Sequence, residues 1–194
     1  MSRPGRPTVT TPEAWADAAL QEIEHAGVRG LSAEAVARRL GVSKGGLYHH
    51  YAGRRALLQA ALALWEARHV TALVERFDAI ADPRERLHEL LEYSGVGIQP
   101  TVIVQLLAAA DDPDVAEVLR RSTATRLGLL HRLFRQLGAS RAVAEQRSLT
   151  TYSHFLGLAQ LRALDPGLLA SPAAMRTHLR GEEEALVRGL AGGD

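Results

Sequence analysis

The densest grouping of chemically capable side chains is the run Ser43-Lys44-Gly45-Gly46-Leu47-Tyr48-His49-His50-Tyr51, with Arg54 and Arg55 just behind it. Lys44 is the sole lysine of the chain. Cations and hydroxyls in this density suit phosphate oxygens. Tyr48, His49 and His50 can donate hydrogen bonds and pack against bases or sugars. Each glycine in a helix costs roughly 1 kcal/mol against alanine, and a short helix can hardly spare it. Gly45 and Gly46 do let another backbone approach closely. A free helix N-terminus beside Ser43 and Lys44 would add partial positive charge for a phosphate. Tyr51 belongs with Leu47 in the core. Adjacent histidines point about 100° apart on a helix, so a metal shared by His49 and His50 is not expected.

Charge is distributed unevenly around this run. Residues 1–55 hold eight basic and five acidic groups, and the remainder holds 15 basic and 17 acidic. A basic head on a mildly acidic body suggests that the head meets a polyanion. Other chemistries find less support. The chain has no cysteine, which excludes disulfides, zinc-thiolate sites and thiol catalysis. The histidines at 25, 69, 88, 131, 154 and 178 are scattered. No phosphate-binding glycine loop, nucleophile motif or His/Glu metal spacing is present, so neither an enzyme nor a cofactor or metal is expected. No apolar run reaches membrane-spanning length. The segment 1–10 reads as a flexible basic arm, with Arg3 and Arg6 reaching for DNA, and not as a signal peptide. A cytoplasmic location follows.

The elements that must position these residues are helical nearly throughout. Thr11 reads as an N-cap, with Pro12 at the first helical position and Glu13 in the first turn. Trp15, Ala19, Ile23 and Ala26 give that helix an apolar face, and Gly27 stops it. Ser32 caps a second helix, whose Val36, Ala37 and Leu40 face inward. Gly41-Val42-Ser43 turns into a third helix that Ser43 caps. Two short helices crossing at so tight a turn form a unit whose second helix can enter a major groove. A long helix follows from Arg54 to about Phe77. Later starts fall at Asp82-Pro83, Gln99-Pro100, Asp112-Pro113, Ser140 and Ser171-Pro172. The expectation is an all-α chain of about nine helices: a helix-turn-helix DNA-binding domain over 11–55, then a helical ligand-binding and dimerisation bundle over 56–194.

The combination Gly27-Val-Arg-Gly-Leu-Ser32, Val36-Ala37, Leu40-Gly-Val-Ser-Lys-Gly-Gly-Leu-Tyr-His-His-Tyr51 and Arg54-Arg-Ala-Leu-Leu58 resembles the tetracycline-repressor (TetR) family of regulators. The resemblance covers about residues 12–65. It implies a homodimer that grips double-stranded DNA at a palindromic operator and releases it when a small-molecule effector binds the body. By position, it places Ser43, Lys44, Gly46, Tyr48, His49, His50 and Arg54 at the DNA. Gly45 and Arg55 join them on the residue-level argument above. The half-sites would lie about one DNA turn apart, roughly 34–36 Å. A helical adaptor that binds protein through a similar head is the alternative, but it would need neither Gly45-Gly46 nor the basic arm.

For the body, the resemblance points to the last two helices as the dimer surface. Met175, Leu179, Leu186 and Leu190 form one stripe. Leu149, Tyr152, Leu156 and Ala159 form another, with Gly157 allowing close approach. Polar or aromatic residues at otherwise apolar helical positions are candidates for the effector site: Trp65, Tyr93, Gln105, His131, Tyr152 and Phe155. The body lacks an acidic or basic cluster, which favours a mostly apolar ligand.

Overall fold

The computed structural model describes residues 10–97 and 101–190 and contains no strand among them. Arg3 and Arg6 lie outside the described residues. Nine α-helices follow in order: α1 (Pro12–Gly30), α2 (Ala33–Leu40), α3 (Arg54–Glu66), α4 (Ala72–Asp78), α5 (Pro83–Glu92), α6 (Thr101–Leu107), α7 (Pro113–Gln136), α8 (Arg141–Leu164) and α9 (Pro172–Val187). A 3-10 segment, Lys44–His49, stands between α2 and α3. A π turn, Ala67–Thr71, joins α3 to α4 without leaving helical geometry, so the long fourth helix read from the sequence is one rod with a widened turn in its middle. A second π turn, Tyr93–Gly97, extends α5.

Six of the helix starts are fixed by side-chain caps. Thr11, Ser32, Asp82, Asp112, Ser140 and Ser171 each accept a hydrogen bond from a backbone N–H of the first turn, satisfying donors that the helix leaves free. Proline follows four of these caps directly, at 12, 83, 113 and 172, where its missing N–H is harmless. Gly27 (φ +72°) breaks α1 into a long helix and a final turn, and Gly41 (φ +67°) closes α2 in the left-handed conformation, which glycine adopts without steric penalty.

Two buried clusters hold the chain together. The first joins Trp15, Ile23, Val36 and Leu47 of the head to Leu58, Trp65, Leu106 and Val115. It therefore runs across the expected boundary at residue 55, so α3, α6 and the start of α7 share a core with the head. The second gathers Phe77, Leu87, Leu133, Phe134, Met175 and Leu186. Ion pairs lace the seam between head and body: Arg55 with Asp114, Arg29 with Asp111, and Arg68 with Asp17.

Several sequence expectations change in three dimensions. Ala26 is exposed and leaves the inward face of α1 to Trp15, Ala19 and Ile23. The α9 stripe turns inward: Met175, Leu179 and Leu186 are buried within the chain, and Leu190 packs on the same cluster. Tyr152 and Ala159 of α8 are buried as well. These residues close an intramolecular core that holds α9 to the body. The outward side of α8 is different. Leu149, Ser153, Gly157, Leu161 and Leu164 recur at helical spacing and are all exposed, and Leu164 is 83% accessible.

Candidate nucleic-acid interface and internal cavity

The tip of the head is built by α2 and the 3-10 segment. Leu47 is fully buried and anchors the segment in the head core. Tyr51 is half-buried, packs beside that core and donates its hydroxyl hydrogen bond to the Pro12 carbonyl at 2.7 Å. The third helix is thus six residues of 3-10 winding and not an α-helix. Ser43 makes no side-chain cap, which corrects that expectation. Two adjacent glycines with poor helix propensity account for the irregular winding. So short a segment carries little helix dipole, and the phosphate argument moves from its N-terminus to its side chains.

The two glycines have different roles. A Cβ at Gly46 would stand 3.2 Å from Trp15 Cζ2, so this glycine serves the internal contact between the segment and α1. A Cβ at Gly45 would meet only Ser43 Oγ, at 3.8 Å. Gly45 is the one on the open surface, with Ser43, Lys44, Tyr48 and His49 beside it, and His50 is half-buried. Tyr48 is 59% accessible, unusual for an aromatic ring. Lys44 pairs with Glu34 of α2, and this contact raises the ammonium pKa above its ordinary range and lowers that of the carboxyl.

The two arginines behind the tip are engaged elsewhere. Arg54 donates from Nε to the Leu31 carbonyl at 2.8 Å and from Nη2 to the Val28 carbonyl at 2.7 Å. It ties the start of α3 to the link between α1 and α2. Arg55 makes a two-pronged contact with Asp114, at 2.7 and 3.0 Å, which Gln59 shares. Sequence reasoning placed both at the DNA backbone. In the structure Arg54 is a strut of the head and Arg55 a bridge to α7, because carbonyls and a carboxylate lie within their reach.

The body holds a partly open cavity between the α3–α4 rod, α5, α7, α8 and α9. Its walls are mainly leucine and aromatic side chains. Tyr93, Tyr152 and Phe155 line it as expected, with Tyr152 and Phe155 stacked at 6.2 Å. Trp65, Gln105 and His131 do not. Trp65 sits behind the wall with the Arg126 guanidinium 5.3 Å over its ring. Gln105 faces Gly27 of the head, 3.0 Å from where a Cβ would be. His131 is half-buried on α7, away from the lining residues.

The polar part of the lining went unread in the sequence: Arg126, Thr151, Ser94, His69, His154 and Glu182. Arg126 and Thr151 are buried, with accessibilities of 9% and 4%. Arg126 Nη2 donates to the His69 carbonyl at 2.9 Å, while Arg126 Nη1 and Thr151 Oγ1 have no partner among the described residues. Burial pushes the Arg126 pKa down, and burial together with Arg126 lowers that of His69. At the rim, His154 holds Glu182 at 2.6 Å, and this bond raises its pKa. A signal for Arg126 did exist. It continues the inward stripe of α7 formed by Val115, Leu119, Ser122, Leu130 and Leu133, where an arginine is out of place.

Residues 16–61 match the model of bacterial regulatory proteins, tetR family. A search of curated protein sequences gave no match. Among solved structures, a transcriptional regulator from Rhodococcus sp. Rha1 is 24% identical with a TM-score of 0.77, covering 93% of this chain and 97% of its own. A Rhodococcus sp. protein assigned to the TetR-family transcriptional regulators is 26% identical with a TM-score of 0.68, covering 91% and 97%. The Bacillus subtilis transcriptional regulator FadR, solved in complex with stearoyl-CoA, is 12% identical with a TM-score of 0.69, covering 92% and 99%. Residues 16–61 thus carry the head of the tetR family of bacterial regulatory proteins, and nearly the whole chain shares its fold with solved transcriptional regulators.

Proposed function

We propose that this chain acts as a homodimeric repressor. It reads a palindromic operator with the head tip and leaves it when a small, mostly apolar effector enters the body cavity. The observation that carries the reading is the exposed group Ser43, Lys44, Gly45, Tyr48 and His49, held on the head by the buried Leu47. Lys44 supplies the phosphate contact. Tyr48 and His49 supply base or sugar contacts, with His50 at their edge.

The dimer face proposed is the outward side of α8 with the adjoining side of α9. Among the described residues, three of the four large exposed apolar side chains, Leu149, Leu161 and Leu164, lie on α8, and a contiguous apolar face marks an association surface. A Cβ placed at Gly157 on α8 or at Gly181 on α9 would meet nothing within 4 Å. Packing inside the chain therefore does not call for glycine at either place, whereas close approach of a second copy would. The apolar lining of the cavity supports an apolar effector, and so does the bound stearoyl-CoA of the Bacillus subtilis relative.

The test is selection of bound sequences from random duplex DNA, followed by affinity measurements with Lys44→Ala and His49→Ala. Enrichment of a two-fold symmetric motif is expected. Lys44→Ala should weaken binding to every sequence, and His49→Ala should chiefly relax discrimination. No enriched motif, or the same loss from both variants on every sequence, refutes the reading.

A further inference from the structure

We infer that the cavity takes an amphipathic monoanion, one carboxylate-class head on an apolar body, with the head bound by Arg126 Nη1 and the Thr151 hydroxyl. This rests on the reading of the cavity as the effector site. Two observations carry it. Arg126 Nη1 and Thr151 Oγ1 are the only buried side-chain polar atoms without a partner among the described residues, and both residues line the same cavity. A buried charge is normally paired and hydrogen-bonded, yet no ion pair involves Arg126 among the described residues, and its one hydrogen bond goes to a backbone carbonyl.

The charge balance selects the ligand's sign. Glu182 is the cavity's one carboxylate among the lining residues, and His154 already holds it. An ammonium or quaternary amine would have to enter beside the unpaired Arg126 guanidinium, which repels it. A carboxylate offers two oxygens to the two free donors, the geometry that arginine binds well. The rest of the ligand must be apolar, because Leu73, Leu91, Leu129, Leu130 and Phe155 face it. One arginine and one hydroxyl do not neutralise a polyphosphate, so a single negative charge is the match.

The experiment is calorimetric titration of the full chain with decanoate, decan-1-ol and decyltrimethylammonium, each below its micelle concentration. Decanoate should bind at least about tenfold more tightly than the alcohol, as for a charge-assisted pair out of water, and the cation most weakly. Thr151→Val, nearly isosteric, should lower decanoate affinity severalfold and leave the alcohol unchanged. Arg126→Leu should abolish the preference for the anion, provided its thermal transition remains cooperative; if it does not fold, the wild-type and Thr151→Val series decide. Equal binding of decanoate and decan-1-ol overturns the proposal, as does preference for the cation or absence of binding by all three. Operator binding is measured on the same samples. DNA binding without decanoate binding removes the monoanion proposal alone, whereas decanoate binding without DNA binding removes the regulator reading and leaves the anion site standing.

Discussion

Replacing Arg54 with alanine should loosen the head without changing the number of phosphates it contacts. The Arg54 guanidinium makes two short, part-buried hydrogen bonds to the carbonyls of Leu31 and Val28. A hydrogen bond to a charged group contributes about 1.5–3 kcal/mol. Two from one guanidinium are not independent, so the loss is about 2–3 kcal/mol for the pair. At about 2–4 °C per kcal/mol for a chain of this size, Tm should fall by about 4–12 °C. Lys44 is the contrast. Its pairing with Glu34 is exposed on both sides, and Lys44→Ala should leave Tm nearly unchanged while lowering the slope of log K against log salt by about 0.9, one phosphate's share. The assay is thermal unfolding of each variant beside non-specific DNA affinity over a salt series. An unchanged Tm with a reduced salt slope for Arg54→Ala would return that residue to the DNA backbone and refute the strut.

Gly45→Ala should raise stability by up to about 1 kcal/mol yet weaken operator binding, while Gly46→Ala should lower Tm through its 3.2 Å approach to Trp15; undiminished operator affinity in Gly45→Ala would remove Gly45 from the interface. Bonds to Glu183 and Glu182 raise the pKa of His88 and His154, so the stability they add is full below about pH 6.5 and is lost as pH rises through the raised values. His69, lowered by burial, works the other way and costs stability as pH falls below about 6.5. Tm should therefore decline by about 2–4 °C from near pH 6.5 to pH 8, and a His88→Gln, His154→Gln double variant should flatten that decline; a decline of the same size in the variant would exclude both pairs. Gly157→Leu should keep the helical spectrum and shift the chain toward monomer in sedimentation; an unchanged dimer would move the interface off α8. In a Trp15→Phe background, decanoate should alter Trp65 emission, and decanoate and operator should weaken each other's binding by one common factor; unequal factors would break the coupling.

The helix starts were legible because caps and prolines act locally: Thr11-Pro12 and Ser171-Pro172 need no distant partner to define a first turn. The head core was legible for a related reason, since Trp15, Ala19 and Ile23 recur at helical spacing on α1, and Val36 and Leu47 follow on the next two short elements. What the sequence did not reveal depended on sequence-distant partners. Arg55 reads as a free cation until Asp114 is brought to it from α7. The apolar stripe of α9 is the same whether it meets a second copy or its own chain, and only the fold shows Met175 and Leu179 turned inward. Half of the effector-site candidates line the cavity. Aromatic residues at apolar positions drew attention to Tyr93, Tyr152 and Phe155, whereas Arg126 was not singled out, although its place in the α7 stripe marks it.

The placement of Arg126 also bears on how a ligand would reach the DNA. The α3–α4 rod starts at Arg54, which grips the head, and widens into a π turn at Ala67–Thr71. Such turns recur at functional sites, where a local change of winding needs little rearrangement. Arg126 bonds the carbonyl of His69 inside that turn and lies over Trp65 just before it. The same α7 carries Asp114, the anchor of Arg55 and Gln59, about three turns earlier, or about 18 Å along the helix. A head group bound by Arg126 Nη1 therefore pulls on the guanidinium whose Nη2 holds the rod, on the helix that also holds the head. A ligand bound equally well before and after the rod tilts would shift nothing. One bound through Arg126 cannot be indifferent to that tilt, because the group that binds it also fixes the turn.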